Sequence, residues 1–417
     1  MLADMQRVRM LAAELPAMGW DIEVLTPARE EVRADVIEPD DSGFFAEGTA
    51  VHEVPSRYGG ALALFGARSA IWRTLGPMYM AGAALLRSRR FDVVYLSTTA
   101  FPFFVLGPLW RRRFGIPYVL DFHDPWVRSK TAAAGQIGAK ARFSRWISRC
   151  MERSAVLHAA AIVSVSPTYI ESLRERYGRE RLAWTAPGHH EVIPFSATQR
   201  DFDEAMRSSP VAPHDSQRIL VRYVGAGGVI MSRSFTLICR ALALLRAQGH
   251  PLIERTRIEL YGTMYNWRPG DARLLEDIAR AQGVGDLVSE QPQRIPYRES
   301  LHLLMEADGG LILGVDDPGY MPSKLFAYAL SGKPLLAALH RDGPGYAQFA
   351  AMPVLGRALW FADKGDIPLL EAAATAARFL DDAAQRRVTD RRQALEPFLA
   401  PAMARRHAAL FDVIREA

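Results

Sequence analysis

The sequence predicts an α/β fold of two doubly wound lobes, each a mostly parallel sheet flanked by helices. Three observations predict it. Short β-rich runs alternate with helical periodicity along the whole chain, the mark of parallel-sheet proteins. At 417 residues the chain has room for two domains of ordinary size. A polar stretch at 196–217, with Pro210, Pro213 and several Ser and Asp residues, reads as a linker between two such series.

In the first series a helix is expected over 3–18, where Met5, Val8, Leu11, Leu15 and Met18 share one face and Gly19 stops the run. Strands are expected at 21–27, 91–97, 116–122 and 161–166, with helices over 100–113 and 138–158. In the second series strands are expected at 218–225, 257–262, 287–290, 309–315, 334–340 and 358–363, alternating with helices. The expected domains are therefore 1–205 and 215–383. A helical, Ala- and Arg-rich tail follows at about 384–417.

Composition narrows the function. Hydrophobic residues at 49% and charged residues at 23% are ordinary for a globular domain. Cys150 and Cys239 fall in different series and offer neither a disulfide framework nor metal-ligand spacing, which fits a reducing cytoplasm. The start shows no signal-peptide pattern. The apolar run 100–110 is about half a bilayer's length, and 61–86 is broken by Arg68 and Arg73, so both are expected as buried helices. Residues 1–200 hold 25 basic and 20 acidic side chains, which accounts for the whole net charge of +5. Such a one-sided excess attracts phosphate groups, anionic lipid or nucleic acid. No nucleic-acid recognition motif accompanies it, so nucleic acid is not an expected partner.

Four segments place chemistry at strand ends, where open α/β sheets bind ligands. In MPSKLFAYALSGKPLLA, Met321 to Ala337, Pro322 suits the first turn of a short helix. The helix's first amides, with Ser323 and Lys324, would then face phosphate oxygens. The bland alternative is a capped helix with an exposed lysine. In YVGAGGVIMSRS the small residues Gly227 and Gly228 follow a strand and permit close approach to backbone amides, with Arg233 nearby as a charge; an ordinary turn is the alternative. GVDDPGY puts Asp316 in a turn and Tyr320 where it can stack on a base. YVLDFHDPW clusters Asp121, His123 and Asp124, groups able to orient a hydroxyl or take its proton, with Trp126 as an apolar wall. A metal reading of Asp–His–Asp lacks further ligands, so no metal is expected.

With that wording, Met321–Ala337 resembles the nucleotide-sugar segment PSKxxEYLASGKPVLA of GT-B glycosyltransferases, specifically family 4 (group 1). The run DMQRVRMLAAELPAMGWDIEVLTP resembles the family's GGAQRVxxLAxxLxxxGHxVxVLT, and DFHDPW its HD or DxxDPW motif. The resemblance implies two Rossmann-like lobes, the first holding an acceptor and the second a nucleotide-diphosphate sugar, with the C-terminal helix crossing back to the first lobe. It carries catalysis to His123, Asp124 and Asp121. Donor binding goes to Gly227, Gly228, Arg233, Asp316, Tyr320, Pro322, Ser323 and Lys324, and acceptor binding to Gln6 and Trp126. It implies no cofactor besides the donor substrate, and retention of anomeric configuration. Two departures stand out. The positions of the family's paired glutamates are Gly319 and Ala327, and LLAALH looks closer to a subgroup with PSKxYPYLLxxKPLLAxFH. The family's first strand and glycine turn have no counterpart ahead of the first helix, so the first lobe is expected to lack that strand and the natural start to lie upstream.

The function this implies is transfer of a sugar to a lipid-linked, polysaccharide or other glycan acceptor, in the cytoplasm or at the inner face of the membrane. A catalytically inactive GT-B subunit and a sugar-nucleotide epimerase are the alternatives. Residues 138–153, GAKARFSRWISRCMER, leave two readings open: a lobe helix with a core face, or a basic amphipathic helix at an anionic membrane.

Overall fold

The computed structural model describes residues 3–28, 45–46, 48–56, 70–127, 139–180, 182–208, 217–264 and 267–417. Residues 61–69, Pro210 and Pro213, and the side chain of Lys140 lie outside that description. The chain divides into two compact units, Met1–Pro194 with Ala400–Ala417, and Phe195–Leu399.

The first unit runs α1 (Ala3–Glu14), β1 (Glu23–Pro27), β2 (Ala50–Val54), α2 (Ala70–Ser88), β3 (Val94–Ser97), α3 (Leu106–Phe114), β4 (Tyr118–Phe122), α4 (Ala139–Leu157), β5 (Ala161–Ser164), α5 (Pro167–Tyr177) and β6 (His190–Val192). The second runs α6 (Gln199–Ser208), β7 (Ile219–Val224), α7 (Ser232–Ala247), β8 (Thr256–Tyr261), α8 (Leu274–Ala281), β9 (Val288–Gln291), α9 (Tyr297–Glu306), β10 (Gly309–Leu313), α10 (Leu325–Leu330), β11 (Leu335–His340), α11 (Pro344–Ala351), β12 (Arg357–Ala362), β13 (Gly365–Asp366), α12 (Leu369–Ala384) and α13 (Arg392–Leu395). The last helix, α14 (Ala400–Glu416), belongs to the first unit.

In the first unit β3-β4-β5-β6 form one parallel sheet, and β1-β2 form a separate parallel pair. Side chains alternate across the larger sheet as the pleat requires. Val119 and Val163 meet Met10, Leu11, Met403 and Phe411 from α1 and α14, while Leu120 and Ile162 meet Phe104 and Trp184 on the other side. The segment expected as one helix over 100–113 is a 3₁₀ turn, Phe101–Val105, leading into α3, which Gly115 stops at φ 76°. α2 is only half-buried: Met78 and Ala83 are in the core, but Trp72 and Met80 are exposed.

The second unit is a seven-stranded sheet in the order β13-β12-β11-β10-β7-β8-β9, parallel except for β13. Strands β7, β10 and β11 are buried along their whole length, which explains their unbroken apolar wording. The order reverses between β7 and β10, which pair only through Gly309 with Val221 and Gly310 with Arg222. A crevice therefore opens at their carboxyl ends, the topological switch point of a doubly wound sheet. The stretch Gly228–Ala247, spanning α7, is long and apolar enough to cross a membrane; Phe235, Ile238, Leu242 and Leu245 bury it in the unit's core.

Two boundaries differ from the expected ones. The stretch taken for a linker contains α6, whose Phe202 and Ala205 are buried and whose Asp201 accepts a bond from Tyr297 Oη at 2.9 Å, so the first domain ends near Pro194 and not 205. The polar composition of α6 is its outer face. Residues 385–399 also stay with the second unit. Arg391 donates to the carbonyls of Val354, Ala329 and Lys333, and Phe398 stacks on Phe326 with centroids 4.1 Å apart.

Candidate functional site

In the second unit the loop after β7 is shaped by glycine. Gly225 sits at φ 148° and Gly228 at φ 64°, conformations that disfavour any side chain. The loop is tied to the neighbouring strand end by Gly225 N–H to Tyr261 O at 2.8 Å and Gly227 N–H to Thr263 O at 2.8 Å. The Lys324 ammonium lies against Gly225: a Cβ there would stand 1.4 Å from Nζ. Nζ also sits 5.5 Å from the centroid of the Tyr223 ring. No described carboxylate pairs with Lys324. Burial pulls its pKa down to about 7, with the charge of Arg294 adding to the effect.

Tyr328, on α10, closes the sheet at this point. Its hydroxyl accepts the Val224 N–H at 2.6 Å and reaches the Val224 carbonyl at 3.1 Å, serving the end of β7 where β10 has already diverged. Arg294, in the loop after β9, donates to Gly262 O at 3.2 Å. Sequence reasoning missed Tyr328 and Arg294. The signal for Arg294 was its place just past a strand end, in EQPQRIP.

The other expected donor residues are placed differently. Arg233 is bound to Asp316 at 2.7 Å and to Asp366 at 2.9 Å, and it donates to Ala362 O, so its charge is matched within the fold rather than offered to a diphosphate. Asp316 is correspondingly engaged. Asp317 accepts the Gly319 N–H at 2.8 Å, making the turn. Tyr320 packs partly buried on the unit's core, which limits it as a stacking platform. Pro322 and Ser323 precede α10 instead of forming its first turn, and Lys324 is its N-cap residue. α10 has only six residues, so its dipole is a small contribution beside the Lys324 charge. Asp316, His340 and Asp363 bring possible ligand atoms within 4.8 Å of one another. His340 Nδ1 accepts the Asp342 N–H at 3.3 Å, and Asp316 is paired with Arg233 at 2.7 Å.

The first unit carries a buried polar cluster at the carboxyl end of β4. Asp121 Oδ2 accepts from Tyr95 Oη at 2.6 Å, Ser97 Oγ at 2.8 Å and His123 Nε2 at 2.6 Å, with Arg7 Nε at 3.5 Å. Burial pushes the Asp121 pKa up, but the charges of Arg7 and His123 and the hydrogen bonds from His123 and Tyr95 outweigh it, holding the carboxyl well below the usual carboxylate range. Asp121 is therefore a poor base. Because an ionised carboxylate only accepts, His123 Nε2 carries a proton toward it. Asp121 thereby fixes the orientation of the His123 ring.

Asp124 lies further along the loop, partly exposed. Trp126 stacks on Phe101 with centroids 5.6 Å apart. Gln6 Oε1 accepts from Arg9, at 2.6 Å to Nη2. The cluster's remaining members, Arg7, Tyr95, Ser97 and His407, were not singled out from the sequence. His407, on α14, approaches Tyr95 Oη at 3.1 Å and bonds Met403 O at 2.9 Å; burial, with the charge of Arg7, brings its pKa down to about 3.

Residues 5–188 match the glycosyl transferase 4-like domain. Over those residues the first unit is similar to that domain. Solved structures extend the likeness to the whole chain. HepE of Anabaena, crystallised with UDP-glucose, superposes over 94% of this chain and 99% of its own, with a TM-score of 0.55 at 15% identity. A UDP-forming α,α-trehalose-phosphate synthase from Burkholderia vietnamiensis covers 84% of this chain and 77% of its own, with a TM-score of 0.55 at 14% identity. The N-terminal domain of trehalose-6-phosphate phosphatase from Candida albicans covers 99% and 89%, with a TM-score of 0.55 at 12% identity. At these identities the likeness establishes the fold alone, which is GT-B: two Rossmann-like lobes. No curated protein matches the chain by sequence.

Proposed function

We propose that this GT-B protein transfers a sugar from a nucleotide-diphosphate donor, bound at the β7–β10 switch point, to a glycan or lipid-linked acceptor. The observation that carries the reading is Lys324. A cation held against a glycine, without a carboxylate partner and with its charge destabilised by burial, suits an incoming anion. Gly225 to Gly228 leave room for that anion to reach backbone amides, and Arg294 adds charge nearby. These groups would stabilise the departing diphosphate electrostatically, so the proposal needs no cofactor besides the donor. On the acceptor side His123, oriented by Asp121, would steer or deprotonate the attacking hydroxyl. The family implies retention of configuration, and we extend the proposal to a hexosyl or related donor, surface polysaccharide synthesis and work at the cytoplasmic face of a membrane. HepE, with its bound UDP-glucose, makes uridine the first base to try.

The test is calorimetric titration of UDP and GDP, in EDTA, against the native chain and Lys324→Met. One nucleotide is expected to bind, and Lys324→Met to weaken it by about tenfold or more, the loss of one charge-assisted contact worth roughly 1.5–3 kcal/mol. Folded native protein that binds neither nucleotide would instead favour the non-catalytic subunit, a reading consistent with non-acidic Gly319 and Ala327.

A further inference from the structure

Helix α4 begins as an exposed rod. Phe143 is 61% and Trp146 60% exposed, and their rings stack on each other at 5.9 Å instead of on the body of the unit. Arg142, Arg145 and Arg149 interleave with them and are exposed, and no described carboxylate pairs with any of the three. The helix turns inward only from Glu152, Ala155 and Val156. Next to it packs α3, where exposed Leu109 lies three and four residues before Arg112 and Arg113 and so shares their side of the helix. In turn α3 packs against α2, which exposes Trp72 and Met80. Among the described residues of these three helices Glu152 alone is acidic, and it is buried against Arg176 and Tyr177.

We propose that this layer, led by the first half of α4, is a docking surface for an anionic lipid bilayer. The two chemistries must be met together. Unpaired guanidinium groups seek a dense anionic surface, and two stacked aromatic rings in water seek an apolar or interfacial medium. A headgroup layer of anionic lipid over acyl chains supplies both, at the depth an amphipathic helix occupies. Nucleic acid would satisfy the arginines and stack on rings, but the exposed aliphatic Leu109 and Met80 on the neighbouring helices gain nothing from it. Glu152 then links the surface to the acceptor loop. It lies on the same helix and accepts the Val127 N–H at 3.3 Å, at the end of the segment that starts with Asp121 and His123. The helix that meets the bilayer thus also holds the loop that would meet the acceptor, which makes the acceptor a lipid-linked one. That last step rests on the glycosyl-transfer reading; the membrane seat does not.

The full-length protein is floated at low salt with vesicles of phosphatidylcholine alone and of phosphatidylcholine with phosphatidylglycerol. Binding is expected only to the anionic vesicles and to fall as salt rises. Phe143→Ser with Trp146→Ser, and separately Arg142→Gln with Arg145→Gln and Arg149→Gln, are each expected to reduce partitioning by about tenfold or more. All these positions are exposed, so the variants should keep the native circular dichroism and melting curve. No binding of the native protein to anionic vesicles would overturn the proposal, as would undiminished binding of both variants. Displacement from vesicles by an equal charge of single-stranded DNA would assign the surface to nucleic acid and overturn it too. UDP titration of the same samples reads the donor site separately, so failure of one reading does not pass for failure of the other.

Discussion

Lys324 is the residue on which proton and ligand binding meet. Its folded pKa, about 7, lies below the ordinary lysine value of 10.5, so between those limits the unfolded chain holds more protons than the folded one. Stability therefore rises with pH across that window as the cost of a buried charge is relieved. A bound diphosphate reverses the preference by favouring the ammonium. Below about pH 7 Lys324 is charged with or without ligand, so it adds no pH dependence to binding there. Above it, binding must take up a proton, and the dissociation constant should weaken by up to about tenfold per pH unit until the pKa of the complex is reached. Titrations at pH 6, 7, 8 and 9 check this, and Lys324→Met should abolish the slope. A slope that persists in that variant would assign the proton to another group. Of this, the sequence showed Lys324 after a proline and a serine. It did not show Gly225 beneath the ammonium, because that contact joins positions about a hundred residues apart. Arg7, Tyr95 and His407 were hidden for the same reason: each is unremarkable in its own segment, and only folding brings it to Asp121.

At the scale of elements, α10 and the loop after β7 act as one device joined by Tyr328. β10 leaves β7 after Gly310, so the backbone of Val224 would lack a partner on that side without the tyrosine hydroxyl. Tyr328→Phe removes the hydroxyl and keeps the ring. It should destabilise the second unit by about 1–3 kcal/mol, the cost of a buried unpaired amide, read as a lower urea midpoint at unchanged slope. UDP affinity should fall several-fold as well, because Val224 is the last residue before the glycine loop. An unaltered midpoint would mean that water replaces the hydroxyl. The strand ends were legible because buried parallel strands read as apolar runs, and glycines mark where the chain leaves them. α6 was not legible. Its polar residues matched a linker, and only burial of Phe202 and Ala205 shows which face is packed. Tyr320 and Arg233 were legible as residues of the right type near the right strand, but the fold uses one for packing and the other for Asp316 and Asp366.

At the scale of the molecule, the two units differ in how they are closed. The second is one continuous segment, Phe195–Leu399, with its own buried core and its donor loop entirely inside. The first is discontinuous and completes its core with α14: Met403, Ala404, Leu410 and Phe411 cover Met10, Leu11 and Val119, and His407 enters the Asp121 cluster through Tyr95. Cutting the chain after Leu399 should therefore act selectively. The first unit would lose several large buried side chains at once, each worth about 1.5–3 kcal/mol, against a total stability of roughly 5–15 kcal/mol for a domain. It should melt early or fail to fold, while the second unit keeps its transition and its UDP affinity. The isolated segment Phe195–Leu399 should fold and bind UDP within a few-fold of the full chain, since Lys324, Arg294 and the glycine loop all lie within it. Calorimetric melting with and without UDP distinguishes these outcomes: a ligand-shifted transition in the isolated segment supports an autonomous donor unit. Loss of both transitions in the shortened chain would show that the second unit depends on the first, and the donor site would then be a property of the whole molecule.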